Sequence, residues 1–251
     1  SAPNIRITRG GEHMDGGEHD PALRPVHSLA IGFRDAEPDF AVRRRAGITA
    51  RWTAEAAANP ALFNGTVLLF EDVAIRDESL TATAVPVDYA TFSAFKAWGG
   101  PDPRLMNLFG AAAVVSAEGH LLLGEMARTT DDPGTVKLAG GTPDRADIVG
   151  GQVDIVGSIA RELAEETGLR AEDARAEPAL LVHLEFPLCA IMQVLRFPLP
   201  TADLVERMNA HLASCNEPEL AGIAVAMTRS DGVVLGSPGY TRAIARHLLP
   251  A

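Results

Sequence analysis

The sequence predicts an α/β fold, an α/β/α sandwich on a mixed sheet preceded by an N-terminal α+β extension. Three observations carry this expectation. Apolar runs rich in Val, Leu and Ile recur along the chain and alternate with only a few helical patterns. The best-patterned helix, over about 152–167, has one apolar face that needs a sheet to lie on. Strand runs stand both before and after that helix, which suits helices layered on a mixed sheet.

Residues 1–25 are polar, Gly-rich and without periodicity, and read as a disordered leader. Gly10-Gly11-Glu12-His13 recurs there as Gly16-Gly17-Glu18-His19, and Met14 stands where a native start would fit. The extension, 26–104, opens with a strand at 28–33. A helix follows over 38–58, carrying Arg43-Arg44-Arg45, Ile48 and Trp52, and Asn59-Pro60 stops it. Two segments, 65–73 and 78–86, are rich in Val, Leu and Thr and are separated by polar residues, so they predict a hairpin. A short helix spans 88–98, and Gly99-Gly100-Pro101 breaks it.

The second part, 105–251, begins with strands at 110–115 and 120–124 around Glu118-Gly119. A loop over 125–139 leads into Val136-Lys137-Leu138-Ala139, and the Glu-rich helix follows at 152–167. Strands are expected at 177–186 and 189–197 with Pro187 between them, then a helix at 201–213, a strand at 220–227 and a C-terminal helix at 238–249.

With 251 residues the chain can bury a substantial core. No apolar run reaches the length of a membrane span and none reads as a signal peptide, so a cytoplasmic protein is expected, with no membrane partner. Cys189 and Cys215 give neither a disulfide framework nor metal-ligand spacing, and read as small core residues rather than nucleophiles. The formal net charge of −11 argues against nucleic-acid binding, which needs a basic surface. It leaves room for a small anionic substrate, because a bound metal and a few Arg reverse the sign locally.

The chemistry concentrates in Arg161-Glu162-Leu163-Ala164-Glu165-Glu166-Thr167-Gly168-Leu169. At about 100° per residue Glu162, Glu165 and Glu166 share one side of a helix, while Leu163, Ile159 and Val156 lie opposite and would face a core. Like charges this close weaken a helix unless something neutralises them. Hard oxygen donors suit Mg²⁺ or Mn²⁺, not zinc. An amphipathic helix with a solvated acidic face would carry the same charges.

The run resembles the signature of the Nudix hydrolases, G-x5-E-x7-R-E-U-x-E-E-x-G-U with U aliphatic, and residues 161–169 match its second half at every fixed position. Counting back from Arg161, the expected Glu falls on Val153, and the nearest carboxylate is Asp154. The glycine pair corresponds to Gly140-Gly141, followed by a loop longer than the family standard, so the motif looks like a Nudix box with an insertion between the glycines and the helix. The resemblance implies the sandwich fold and a bound Mg²⁺ (or Mn²⁺). It implies Glu165 and Glu166 as direct metal ligands, Glu162 as a third ligand or the base on water, and Arg161 as the residue orienting a carboxylate through a bidentate ion pair. Asp154 would either supplement the metal cluster or cap the helix. Gly140 and Gly141 would permit close approach to a pyrophosphate, or form a plain turn. Lys137 would offer a phosphate its charge, or be solvated. Glu217 and Glu219 are candidates for a late-sequence base or ligand. Arg43-Arg44-Arg45 would contact phosphate or sugar, or be a solvated helix face. His183 and His211 lack a partner motif and read as structural.

Ile48, Trp52 and Asn59-Pro60-Ala61-Leu62-Phe63-Asn64-Gly65 look like the N-terminal segment of the UDP-sugar branch of that family, the uridine diphosphate glucose pyrophosphatases, as does the long loop beginning Gly140-Gly141-Thr142-Pro143-Asp144. The resemblance therefore implies a Mg²⁺-dependent diphosphatase acting on a small-molecule nucleotide, with UDP-glucose cleaved to UMP and glucose 1-phosphate. The alternatives are the same chemistry on ADP-ribose, NADH or a coenzyme A derivative, and a catalytically weak domain that senses a nucleotide. The sequence leaves the oligomeric state open.

Overall fold

The computed structural model of the chain describes residues 23–59, 62–130 and 132–251. The Gly-Gly-Glu-His repeat, Met14 and Pro60 of the expected helix stop lie outside the described residues, as does most of the expected leader. Its end does not. Strand β1 (Leu23–Val26) pairs antiparallel with a strand near 180–185, so residues from Leu23 onward belong to the fold, because Leu23 and Val26 supply buried side chains to it.

In chain order there follow β2 (Ser28–Phe33), α1 (Asp39–Ala58), β3 (Thr66–Arg76), β4 (Ser79–Asp88), α2 (Tyr89–Ala97), β5 (Leu105–Val115) and β6 (Leu121–Met126). Next come β7 (Val136–Lys137), β8 (Ala139–Gly141), β9 (Ile148–Val149), β10 (Gln152–Val153) and α3 (Ile155–Thr167). The chain continues through β11 (Arg175–Ala176), β12 (Leu180–Glu185), β13 (Leu188–Arg196), α4 (Thr201–Ser214), β14 (Leu220–Ala226), α5 (Gly232–Leu235) and α6 (Gly239–Leu248). The helices and strands expected from the pattern are present. The β9–β10 hairpin, β11 and α5 are additions too short for periodicity to reveal.

The strands form one mixed sheet, ordered β1-β12-β13-β5-β3-β4-β2-β10-β9 along its main path. The pairs β13–β5 and β2–β4 are parallel and the rest antiparallel. Strand β5 is the centre, pairing with β13 along most of its length and also with β3, β6 and β8. Its alternation sorts the two faces, as a period of two requires. Leu108, Ala112 and Val114 join Ile155, Ile159, Leu163, Leu204 and Met208 of α3 and α4 in one core. Ala111, Ala113 and Val115 join Tyr240, Ala243 and Ile244 of α6 in another. Helices on both faces of a mixed sheet are the α/β/α layering expected from sequence.

Helices α1 and α2 cover one face of β3 and β4 through Phe40, Ile48, Phe92 and Phe95 packed on Leu69, Val85 and Val87. The other face of those strands, with Leu68, Phe70 and Leu80, belongs to the same core as α3. Residues on either side of the expected boundary at 104 and 105 thus share one core. The β3–β4 turn carries Asp77 and Glu78 at φ 47° and 59°, the left-handed pair of a tight hairpin turn. Among the described residues no helix is long and apolar enough to cross a membrane.

Candidate active site

Helix α3 is built to sit close to β5. Asp154 is its N-cap, with Oδ1 accepting from Gly157 N at 2.9 Å, and Gly168 at φ 71° ends it in the left-handed conformation that favours glycine. Ile159 and Leu163 are buried as expected and Ile155 joins them; Val156 is not buried, and stays 41% exposed beside the hairpin β9–β10. A Cβ on Gly110 of β5 would stand 2.6 Å from Ile159 Cγ1, so glycine there sets the helix-to-sheet distance. From α4, His211 Nε2 donates to the carbonyl of Glu165 at 2.8 Å, satisfying one of the open carbonyls of the last turn. The structural role expected of His211 is the one it has.

The three glutamates of α3 reach one cleft of about 160 Å³, together with Leu212, Cys215, Glu217, Pro218 and Glu219. Their environments differ in a graded way. The side chain of Glu165 is 60% exposed and that of Glu162 16%, while Glu166 is buried at 7%. Glu166 Oε2 accepts from Gly140 N at 3.1 Å. Burial, then the charge of Glu162, push its carboxyl up to about 8; Glu219 adds to this, and Lys137 and the Gly140 N–H oppose it. Burial also raises Glu162, with Glu165 and Glu219 acting the same way and Arg161 against.

The glycine pair forms the facing wall. In β8, Gly140 and Gly141 pair with Ala111 and Gly110 of β5. A Cβ on Gly140 would collide with the Gly110 carbonyl oxygen and Ala111 Cα, which are backbone and cannot yield. One on Gly141 would stand 2.7 Å from the Glu162 carboxyl, so the glycine leaves the room that this carboxylate occupies. Lys137 is half-buried in β7, paired with Gly124 of β6, and its charge acts on Glu166.

Arg161 is the electrostatic hub. Its Nη1 lies 2.9 Å from Glu162 Oε1 and 3.2 Å from Glu165 Oε2. Its Nη2 donates to both oxygens of Asp147, at 3.2 and 3.1 Å. Burial works to lower the guanidinium's pKa, and the carboxylates of Glu162, Asp147 and Glu165 outweigh it. The residue holding Arg161 is therefore Asp147, buried at 7%, which the family spacing counted back from Arg161 does not reach. Asp147 closes a capping box with Asp144, accepting from Asp144 N at 3.0 Å, on a short 3-10 turn inside the long loop. The signal was present: Gly141 to Asp147 has the G-x5-acid interval, and the excess length lies after the acid, with thirteen residues before Arg161 where the motif has seven. That excess folds as the β9–β10 hairpin, turning at Gly150 and Gly151 (φ 59° and 80°) and pairing with β2 through Gln152 and Gly32.

Asp154 is not brought to the glutamates. It caps α3 about 12 Å along the axis from Glu162 and lines a separate cleft with His27, Val149 and Gln152. More generally, among the described residues no three side chains of His, Cys, Asp or Glu close on one point as an ion requires. Of the expected metal set, Glu162, Glu165 and Glu166 share the cleft, and Asp154 is corrected to a helix cap that stands apart from them. Glu162 and Glu165 both pair with Arg161, and Glu166 accepts from Gly140 N. The donor chemistry still fits a divalent ion. Five carboxylates line the cleft, against Arg161 and Lys137, and burial raises two of the five.

Of the other residues singled out in the sequence, Glu217 and Glu219 line this cleft. Arg43 and Arg45 form ion pairs with Asp39 and Asp102, and with Glu37 and Asp88, on α1. Cys189 is buried in β13, and burial pushes its thiol up to about 12, so it is a core residue. Cys215 is only half-buried and lines the cleft.

No protein-family model matches the chain, and neither does any curated protein. Solved structures resemble it distantly. DR0079 from Deinococcus radiodurans is 12% identical, with a TM-score of 0.41, covering 71% of this chain and 98% of that one. The Nudix hydrolase RenU from M. smegmatis is 16% identical, with a TM-score of 0.36, covering 56% and 81%. A bifunctional NMN adenylyltransferase/ADP ribose pyrophosphatase from Francisella tularensis, complexed with AMP and a Mn ion, is 15% identical, with a TM-score of 0.35, covering 63% and 42%. Likenesses of this size assign no activity.

Proposed function

We propose that the chain is a divalent-cation-dependent hydrolase of the Nudix type. It cleaves the diphosphate of a nucleoside diphosphate linked to another group, with UDP-glucose as the substrate that yields UMP and glucose 1-phosphate. The observation that carries the reading is the convergence of R-E-x-x-E-E on the glycine wall, with Glu162 lodged where Gly141 lacks a side chain and Glu166 bonded to Gly140 N. An ordinary solvated acidic face has no reason to bury a carboxylate against a glycine backbone.

Glu162 and Glu166, with Glu219 across the cleft, are the residues that would hold Mg²⁺ or Mn²⁺, and Glu165 would join them on leaving Arg161. Such an ion supplies charge neutralisation on phosphate oxygens and a bound water of lowered pKa. The protein's own residues set the rest. Arg161, fixed by Asp147, holds Glu162 in place to accept the proton of the attacking water. The missing side chains at Gly140 and Gly141 admit the diphosphate to the wall. Lys137 offsets negative charge beside Glu166. Water adds to one phosphorus, the bond to the bridging oxygen breaks, and that oxygen leaves on the second phosphate.

The UDP-sugar assignment rests on the segment from Trp52 to Gly65 and on the long loop. Trp52 packs edge-on to Tyr89, and Asn64 Oδ1 accepts from Ala90 N at 2.8 Å. These are contacts that shape the α1–α2 layer, so the preference for uridine is a matter for assay. A panel of UDP-glucose, ADP-ribose, NADH and a coenzyme A ester with Mg²⁺, read as phosphate after phosphatase coupling, tests both levels. Faster turnover of ADP-ribose than of UDP-glucose rejects the uridine branch. No turnover of any diphosphate rejects the hydrolase.

A further inference from the structure

The acidic cleft has a shortage of cations. A diphosphate substrate brings negative charge to a cleft lined by five carboxylates. Arg161 is divided among Asp147, Glu162 and Glu165, and Lys137 acts on Glu166. A cation at the rim would add to these where the substrate enters.

One rim segment is tied to the cleft wall by backbone. Strand β6 ends beside the start of β14, with Met126 opposite Leu220, and Ala127 N donates to the carbonyl of Glu219 at 2.8 Å. The next residue is Arg128. Residues 127–130 form a tight turn, with Thr130 N donating to Ala127 O at 3.2 Å and Thr130 Oγ1 to the same carbonyl at 2.8 Å. Gly134 N returns to Met126 O at 2.9 Å and closes the base of the loop. Arg128 therefore occupies a fixed turn position one residue from a cleft-wall contact. It is exposed, and among the described residues its guanidinium has no hydrogen-bond or ion-pair partner, although the protein is strongly acidic.

We propose that Arg128 is the substrate-anchoring cation of this site, taking a phosphate of the diphosphate ester through its planar fork; the inference rests on the diphosphatase reading above. A guanidinium presents paired N–H donors that match two phosphate oxygens, and an ammonium presents only a point charge. Being on the rim, Arg128 binds the substrate equally in its ground and transition states, so its loss raises KM and spares kcat.

The test compares the full-length protein with Arg128→Ala, Arg128→Lys and, as a control for overall charge, Arg76→Ala at the exposed β3–β4 turn. Rates on UDP-glucose and ADP-ribose are taken at saturating Mg²⁺. Calorimetry follows binding of a methylene-bridged, non-hydrolysable diphosphate analogue. For Arg128→Ala, KM and the analogue's Kd rise about tenfold or more with kcat within about twofold, Arg128→Lys recovers part of the loss, and Arg76→Ala matches the parent. Unchanged KM and Kd in Arg128→Ala overturn the assignment and leave the hydrolase standing. So does a gain in kcat/KM, which would make Arg128 a rim partner for Glu217 or Glu219 that impedes entry. A parent protein that hydrolyses no diphosphate ester overturns the hydrolase reading and this assignment with it.

Discussion

Glu166 makes the protein's stability depend on pH in an unusual direction. Its folded-state carboxyl lies at about 8, against an ordinary value of 4.5. Between those values the folded protein holds a proton that the unfolded chain has released. Fewer protons on the unfolded state means that stability falls as pH rises. Each pH unit removes about 1.4 kcal/mol, so the contribution lost between pH 5 and pH 8 is about 4 kcal/mol. Glu162, raised by burial, acts in the same direction. Asp102, held low by its hydrogen bonds from Arg104, acts only at more acid pH and leaves this window clear. Urea unfolding in chelator across pH 5 to 8 measures the slope. Glu166→Gln keeps the shape, loses the titration, and should flatten the slope and exceed the parent at pH 8 by on the order of 2–4 kcal/mol. Mg²⁺ should stabilise the parent at pH 8 more than it stabilises the variant, because binding to the folded state alone raises stability by mass action. A parent whose stability is level or rising from pH 5 to 8, or a variant with the same slope, refutes the reasoning.

Three other outcomes follow from the geometry. Glu162→Gln should lower kcat by about a hundredfold or more while the melting temperature stays near that of the parent, as measured by coupled phosphate release and thermal unfolding. Asp147→Asn keeps the capping-box geometry but loses the charge that fixes Arg161, and should lower kcat by about ten- to a hundredfold with a small change in KM; a parent-like rate would remove Asp147 from the site. Asp154→Asn should be nearly silent in both rate and stability, whereas Asp154→Ala should cost about 1 kcal/mol in urea unfolding with the rate preserved, as a helix cap requires and a metal ligand forbids.

Most of the fold was legible because its long elements advertise their period. Helix α3 shows apolar Ile155, Ile159 and Leu163 at helical spacing, and the core strands β5, β12 and β13 show as continuous apolar runs. Val156 lies on the apolar side of the helix by period yet stays exposed, because it stands at the first turn, where the hairpin and not the sheet is the neighbour, and one-dimensional periodicity does not say how far a sheet extends. Strand β1 does not stand out from the leader in sequence because Leu23-Arg24-Pro25-Val26 carries one Arg and one Pro in four residues. Its strand character comes from its partner: Leu23 to Val26 pair with His183 to Leu180 along an otherwise open edge.

The site was legible where chemistry depends on helical spacing and illegible where it depends on a loop. Glu162, Glu165 and Glu166 reach one cleft because intervals of three and four residues share a helix face whatever surrounds them. Asp147 has no such guarantee. Counting backward from Arg161 presumes a fixed connection, and here residues 148–153 are a hairpin that leaves the path of the loop to pair with β2. The motif spacing before Arg161 therefore falls on Val153 and Asp154 at the helix start, while the residue that meets Arg161 lies before the detour. The detour also has a mechanical consequence. Asp154 N donates to Asp147 O at 2.8 Å at the base of the hairpin, Arg145 Nη2 reaches Asp35 Oδ1 at 2.7 Å, and Leu68 N donates to Pro143 O at 3.2 Å. The loop that holds Arg161 is thus pinned to residues 32–35 and 68, all before residue 105. The N-terminal part is accordingly a support for α3, and the position of Glu162 depends on strands outside the R-E-x-x-E-E run.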